Sequence, residues 1–252
     1  MGIISSCSEE DLGPAPVTEF AANAKVAEVG ESIKFTNSSS LTSGESLTYS
    51  WDFGDGSTST DANPTKRYQS TGTYPVMLTA TSASGASAVM SDTIRIGERY
   101  LSSLSIAAVE LDVYTVVSEG DTLFGWDEDG SGPDILWQLV NVNATSQEEQ
   151  VVGIETPIEN FDNTQVITFT VSSNFILKNS NYYIEFVDSD DGTTAEAIIA
   201  GYFNPSDLDV YNPNTFDFNN FSGELGKDPE TGEGMLIIAS NLMISYLIFE
   251  IR

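Results

Sequence analysis

From Val17 to the C-terminus the chain is built of short runs in which apolar and polar residues alternate, each run closed by Gly, Asn, Ser or Pro. No stretch keeps a helical period long enough to bury one face. A period of two buries a face only on a pleated strand, so the chain is expected to be all-β. Ser32-Ile33-Lys34-Phe35-Thr36 and Thr73 to Thr81 show the pattern early, and Ile135 to Val142, Tyr182 to Val187 and Leu242 to Ile251 show it late. The 252 residues leave room for two domains, each with a core of its own. The expected architecture is two antiparallel β-sandwich domains in tandem. The divisions are 1–16, a signal remnant and acidic tether; 17–97, the first sandwich; and 98–252, the second. The junction Gly97-Glu98-Arg99 is short, which leaves two such domains limited freedom.

Charge and composition exclude several functions. With 38 acidic against 9 basic residues the formal charge is -29, and a phosphate backbone finds no cluster of Lys and Arg to bind, so nucleic acid is excluded as a partner. An anionic membrane surface is disfavoured for the same reason. The chain contains no histidine, which removes Ser-His-Asp and Cys-His catalysis and His-ligated zinc together. What survives is chemistry by carboxylates alone, and in so acidic a chain one more pair of acids identifies nothing. No catalytic residue is assigned, and the chain is expected not to be an enzyme.

The acids are concentrated in two places. Trp126-Asp127-Glu128-Asp129-Gly130-Ser131-Gly132-Pro133-Asp134 lies between apolar runs, and Asp188-Ser189-Asp190-Asp191-Gly192 follows the run that ends at Val187, with Glu196 before the next one. Carboxylates on adjoining loops repel, and a hard divalent cation with six to eight oxygen ligands relieves the repulsion, which is calcium chemistry. Asp127, Asp129, Asp134, Asp188, Asp190 and Glu196 are the expected calcium ligands, with the two loops meeting at one end of the second sandwich. Either loop taken alone reads equally as a solvated hairpin turn. Neither supplies the ladder of an EF-hand.

Tyr49-Ser50-Trp51-Asp52-Phe53-Gly54-Asp55-Gly56, followed by Asn63-Pro64-Thr65-Lys66-Arg67-Tyr68-Gln69-Ser70-Thr71-Gly72-Thr73-Tyr74, resembles the two signature blocks of the PKD domain. The resemblance implies an immunoglobulin-like sandwich that serves bacterial surface proteins as a spacer or docking unit. Trp51 and Phe53 would point inward on a central strand, and Gly54-Asp55-Gly56 would turn the chain at positive φ. Lys66 departs from the family, where histidine is usual, so the hydrogen bond of that imidazole must be absent or replaced. The second half is similar to the C-two family of calcium-dependent lipid-binding sandwiches: Asp188, Asp190 and Glu196 stand at the family's i, i+2 and i+8, with Ile198-Ile199-Ala200-Gly201 after them. Its first loop matches less well, because Pro133 and Asp134 stand in reversed order. Lipid binding is not carried over, since these loops show mainly acids, Ser, Gly and Thr.

Ile4-Ser5-Ser6-Cys7 resembles the end of a bacterial lipoprotein signal, and the acidic residues after it resemble the surface-export signals of lipoproteins in Bacteroidetes-type bacteria. The implied state is a protein lipidated at Cys7 on the outer membrane, facing outward, with no other membrane contact; the alternative is an incidental cysteine on an unstructured N-terminus. Trp126, Tyr202 and Tyr211 are the expected ligand-binding aromatics, and Tyr182, Phe216, Phe218 and Phe221 are further candidates for an open face, although most of these aromatics are expected to be core or loop anchors. Trp137 fits either face. The leading functional expectation is a glycan-binding surface lipoprotein that takes a polysaccharide or oligosaccharide. Docking onto another outer-membrane or extracellular protein is the alternative, and a carboxylate-only enzyme comes last.

Overall fold

The computed structural model describes residues 12–109, 114–118, 121–124, 132–144, 151–153, 157–162, 166–171, 175–177, 180–189, 196–205, 221–239 and 243–252. Every regular element among them is a strand. The chain divides into two compact units, Met1–Gly97 and Glu98–Arg252.

The first unit holds β1 (Phe20–Ala22), β2 (Val26–Glu28), β3 (Ile33–Asn37), β4 (Leu47–Asp52), β5 (Thr58–Ser59), β6 (Thr65–Lys66), β7 (Gly72–Ser82) and β8 (Ser87–Gly97). They form one sheet in the order β1-β3-β6 and another in the order β2-β8-β7-β4-β5. One described pair departs from the antiparallel pattern: β2 lies parallel to β8. The cause is a change of sheet: the Asn23 amide still bonds the Lys34 carbonyl of the first sheet, whereas the Lys25 carbonyl already accepts from Arg95 of the second.

Between the sheets Phe20, Phe35, Trp51, Phe53, Tyr68, Leu78 and Ile94 share one core. Trp51 is fully buried and meets Phe20 edge-on at 5.1 Å, while its Nε1 donates to the Asp61 carbonyl at 2.9 Å, so its one polar atom is satisfied. Tyr68 is also buried; its hydroxyl donates to the Phe53 carbonyl at 2.9 Å and its ring stacks on Tyr74 at 4.2 Å. Burial, with the Asp55 carboxylate nearby, pushes that hydroxyl well above the ordinary tyrosine range.

The second unit holds β9 (Arg99–Val109), β10 (Tyr114–Ser118), β11 (Asp121–Phe124), β12 (Ile135–Asn141), β13 (Val151–Gly153), β14 (Ile167–Thr170), β15 (Tyr182–Asp188), β16 (Glu196–Phe203), β17 (Phe221–Lys227), β18 (Gly234–Ala239) and β19 (Met243–Ile251). A sheet ordered β14-β9-β19-β18-β17 and a sheet ordered β13-β12-β15-β16 contribute to one core, and β10 and β11 form a separate hairpin. Among the described residues all strand pairs in this unit are antiparallel.

The alternation is strict where it matters. Ile135, Trp137 and Leu139 of β12, Tyr182, Ile184 and Phe186 of β15, and Leu247, Phe249 and Ile251 of β19 are buried, and the residues between them are not. The stretch from Glu224 to Gly234, which reads as a turn-rich connection, is in part a strand. It extends β17 to Lys227, with a register shift between Glu224 and Gly226, and only then turns, where the Asp228 carboxylate accepts the amides of Glu230 and Thr231. Glycines and a bulge hide the period of two in that segment.

Candidate functional site

At one end of the second unit, the start of β12 and the end of β15 bring two of the expected metal ligands together. The Asp134 amide donates to Asp188 Oδ1 at 2.7 Å, and the Ser189 amide donates to the Asp134 carbonyl at 2.9 Å. Asp134 Oδ1 in turn accepts the Asn160 amide at 2.7 Å. The turn is tight: a Cβ on Gly132 would lie 2.0 Å from the Phe161 carbonyl oxygen, so only glycine fits. Asp188 is 2% exposed, which places its carboxylate in the structure and not on a solvated tip. Glu196 opens β16 directly opposite Asp188 in register.

Each of the two aspartates therefore has one oxygen, Oδ1, committed to a backbone amide. Their chemistry suits a hard cation, since every donor in the expected set is a carboxylate oxygen. Among the described residues, however, no group of three or more Cys, Asp and Glu lies close enough to hold a metal ion. Asp127, Asp129 and Asp190 lie outside the described residues, as do Trp126, Tyr211, Phe216, Phe218 and Cys7.

The same two strands build a second feature on their outer face. Because Tyr182, Ile184 and Phe186 point inward, Tyr183, Glu185 and Val187 point outward, and cross-strand register sets Val140 opposite Tyr183, Gln138 opposite Glu185 and Leu136 opposite Val187. On the other side Tyr183 pairs with Tyr202 of β16. Tyr202 is 70% exposed, and its ring lies 5.0 Å from that of Tyr183. The Tyr183 hydroxyl donates to Glu185 Oε2 at 2.9 Å, and Gln138 Nε2 donates to Glu185 Oε1. The bond to Glu185 raises the Tyr183 hydroxyl above the ordinary tyrosine range. Beside this triad Leu136, Gln138, Glu185 and Val187, with Trp137, line a depression of about 240 Å³.

Of the aromatics expected on an open face, Tyr202 is exposed, whereas Tyr182 is fully buried. Tyr182 is one of the core anchors: it packs against Phe175 at 5.9 Å and Phe203 at 5.7 Å, and its hydroxyl donates to the Ile176 carbonyl at 2.7 Å. Trp137 is buried as well, tilted against Phe169 at 5.8 Å. Tyr183, Glu185 and Gln138 were not singled out by the sequence, because nothing local says which of two adjacent tyrosines faces the core.

In the first unit the signature blocks fold into one arrangement. Gly54 has φ 75° and Gly56 φ 84°, and a Cβ on Gly54 would lie 2.6 Å from the Pro75 carbonyl oxygen. Lys66 Nζ sits 5.7 Å from the centre of the Phe53 ring and 5.2 Å from that of Tyr68, bonds Ser57 Oγ at 2.7 Å and pairs with Asp55 at 2.5 Å. Residues 13–96 match the sequence profile of the PKD domain. These residues are a PKD domain. It is a non-catalytic domain type.

The chain has relatives much longer than itself. Over 81 residues the chain is 43% identical to a microbial collagenase of Vibrio alginolyticus, a match that covers 32% of this chain and 10% of the collagenase. Over 139 residues it is 34% identical to the pre-pro-metalloprotease PrtV of Vibrio cholerae, covering 55% of this chain and 14% of PrtV. The chain thus spans a small part of the length of either relative. The solved PKD1 domain of PrtV is 38% identical, with 33% of this chain and 98% of that domain covered and a TM-score of 0.30.

Proposed function

We propose that this chain is a non-catalytic glycan-binding protein of the cell surface, in which the PKD domain is a spacer and the second sandwich presents the ligand face. The observation that carries the proposal is the 70% exposure of Tyr202 against the ring of Tyr183, beside a carboxylate and a carboxamide already hydrogen-bonded to each other. A large aromatic left open on a flat sheet face costs hydrophobic stabilisation, and an aromatic platform flanked by fixed polar groups suits a ring with one apolar face and a polar edge. On this reading Cys7 carries the lipid that holds the protein at the outer membrane. Calcium is taken by Asp134 and Asp188 together with Asp127, Asp129, Asp190 and Glu196, where it neutralises their charge and stiffens the start of β12 and the end of β15.

A glycan array on the soluble chain, in millimolar calcium and again in excess chelator, tests the proposal. Binding that is stronger with calcium supports both parts of it. Binding unchanged by chelator keeps the glycan face and rejects the metal. A flat array in both conditions rejects the glycan reading and shifts the function to docking on another surface protein.

A further inference from the structure

Resting on that reading, we infer that the face takes a neutral glycan chain that runs obliquely across the strands, with one sugar on Tyr202 and the next over Glu185 and Gln138, and that it rejects uronic-acid and sulfated chains. Direction comes from the register. Tyr183 of the aromatic row and Glu185 of the polar row are two residues apart on β15, hence about 7 Å along the sheet, with Tyr202 one strand to one side on β16 and Gln138 one strand to the other side on β12. The line from Tyr202 to Gln138 therefore crosses the strands obliquely. A further step of two residues reaches Leu136 and Val187, where the depression of about 240 Å³ opens.

The polar row fixes the ligand chemistry. Glu185 is held by the Tyr183 hydroxyl on one oxygen and by the Gln138 amide on the other, so its orientation is set before a ligand arrives. An oriented carboxylate has lone pairs to accept sugar hydroxyls and repels a ligand carboxylate or sulfate. Among the described residues no cation lines the depression, and the chain carries a formal charge of -29, which disfavours an anionic ligand. The aromatic row favours a pyranose whose axial C–H bonds meet the negative face of a tyrosine ring.

Isothermal titration of the full chain tests the inference, with cellohexaose, mannohexaose and xylohexaose as neutral probes, their monosaccharides as length controls, and hexaguluronate as the anionic probe. At least one neutral hexasaccharide should bind, its monosaccharide and hexaguluronate about tenfold or more weaker, and added salt should change the neutral affinity little. Tyr202→Ala and Gln138→Ala should each weaken that binding about tenfold, while Tyr202→Phe, which keeps the ring, should retain it. Binding of hexaguluronate equal to or tighter than the neutral probes overturns the inference. Neutral binding that survives Tyr202→Ala overturns this face while leaving a glycan-binding function in place. If no hexasaccharide binds at all, both fall.

Discussion

Lys66 shows how a single departure from a family pattern is absorbed. Where the PKD domain usually carries an imidazole, the ammonium lies over Phe53 and Tyr68 and bonds both Ser57 and Asp55, so a charge tied to the turn Gly54-Asp55-Gly56 stands at this position. Burial alone would push the Asp55 carboxyl up, but hydrogen bonds from Lys66 and Ser57 and the Lys66 charge outweigh it and hold the carboxyl at about 2, down from 3.8. A depressed carboxyl contributes stability above its unfolded value and loses it as pH falls through the folded one. Asp55→Asn should therefore cost the PKD domain on the order of 1 kcal/mol at neutral pH, allowing for partial exposure, and the deficit should shrink between pH 3.8 and about 2. Urea unfolding followed by Trp51 fluorescence across that range measures it. Gly54→Ala should be worse, about 2 kcal/mol or more, because a positive φ and a 2.6 Å contact with Pro75 oppose the new methyl together. In the same assay Tyr68→Phe should cost about 1 to 2 kcal/mol, by leaving the Phe53 carbonyl buried without its donor.

Among the elements, β15 decides most, since its inner face closes the core and its outer face builds the candidate site. Phe186→Ala should cost the second unit about 3 to 5 kcal/mol, while Tyr202→Ala on the neighbouring strand should stay within about 0.5 kcal/mol of wild type, which thermal melts of the two variants distinguish. Comparable losses in both would mean the register is shifted by one. That one-residue ambiguity is also why the site was only half legible in the sequence. The alternation from Tyr182 to Val187 marks a strand, and Trp51 and Phe53 beside Gly54 mark the first sandwich, because core patterning and a glycine turn are local facts. Which of Tyr182 and Tyr183 faces solvent is settled by pairing with β12, more than forty residues away in sequence: Tyr182 opposes buried Asn141, and Tyr183 opposes Val140 on the outer side. Glu185 and Gln138 were invisible for the same reason, as their bond exists only across strands. The meeting of Asp134 with Asp188 is likewise a product of the β12–β15 register, which starts with Ile135 opposite Asp188.

Across the whole molecule each unit closes a core of its own, the PKD domain around Trp51 and the second unit around Trp137 and Phe186. Stability responses should follow that division. If calcium is held at the acidic turns, calorimetry should show the transition of the second unit raised by about 2.7 kcal/mol at a hundredfold excess over Kd and that of the PKD domain unmoved, and Asp188→Asn should abolish the shift. The central claim, however, is that the outer face of β12, β15 and β16 is where this protein meets its ligand. Chemical-shift mapping on the isotopically labelled full chain, during titration with the neutral hexasaccharide that binds best, tests it most directly. Perturbations concentrated at Gln138, Tyr183, Glu185 and Tyr202, with residues 13–96 unmoved, are the predicted result; perturbations confined to the PKD domain, or to the turns at Asp134 and Asp188, would contradict it.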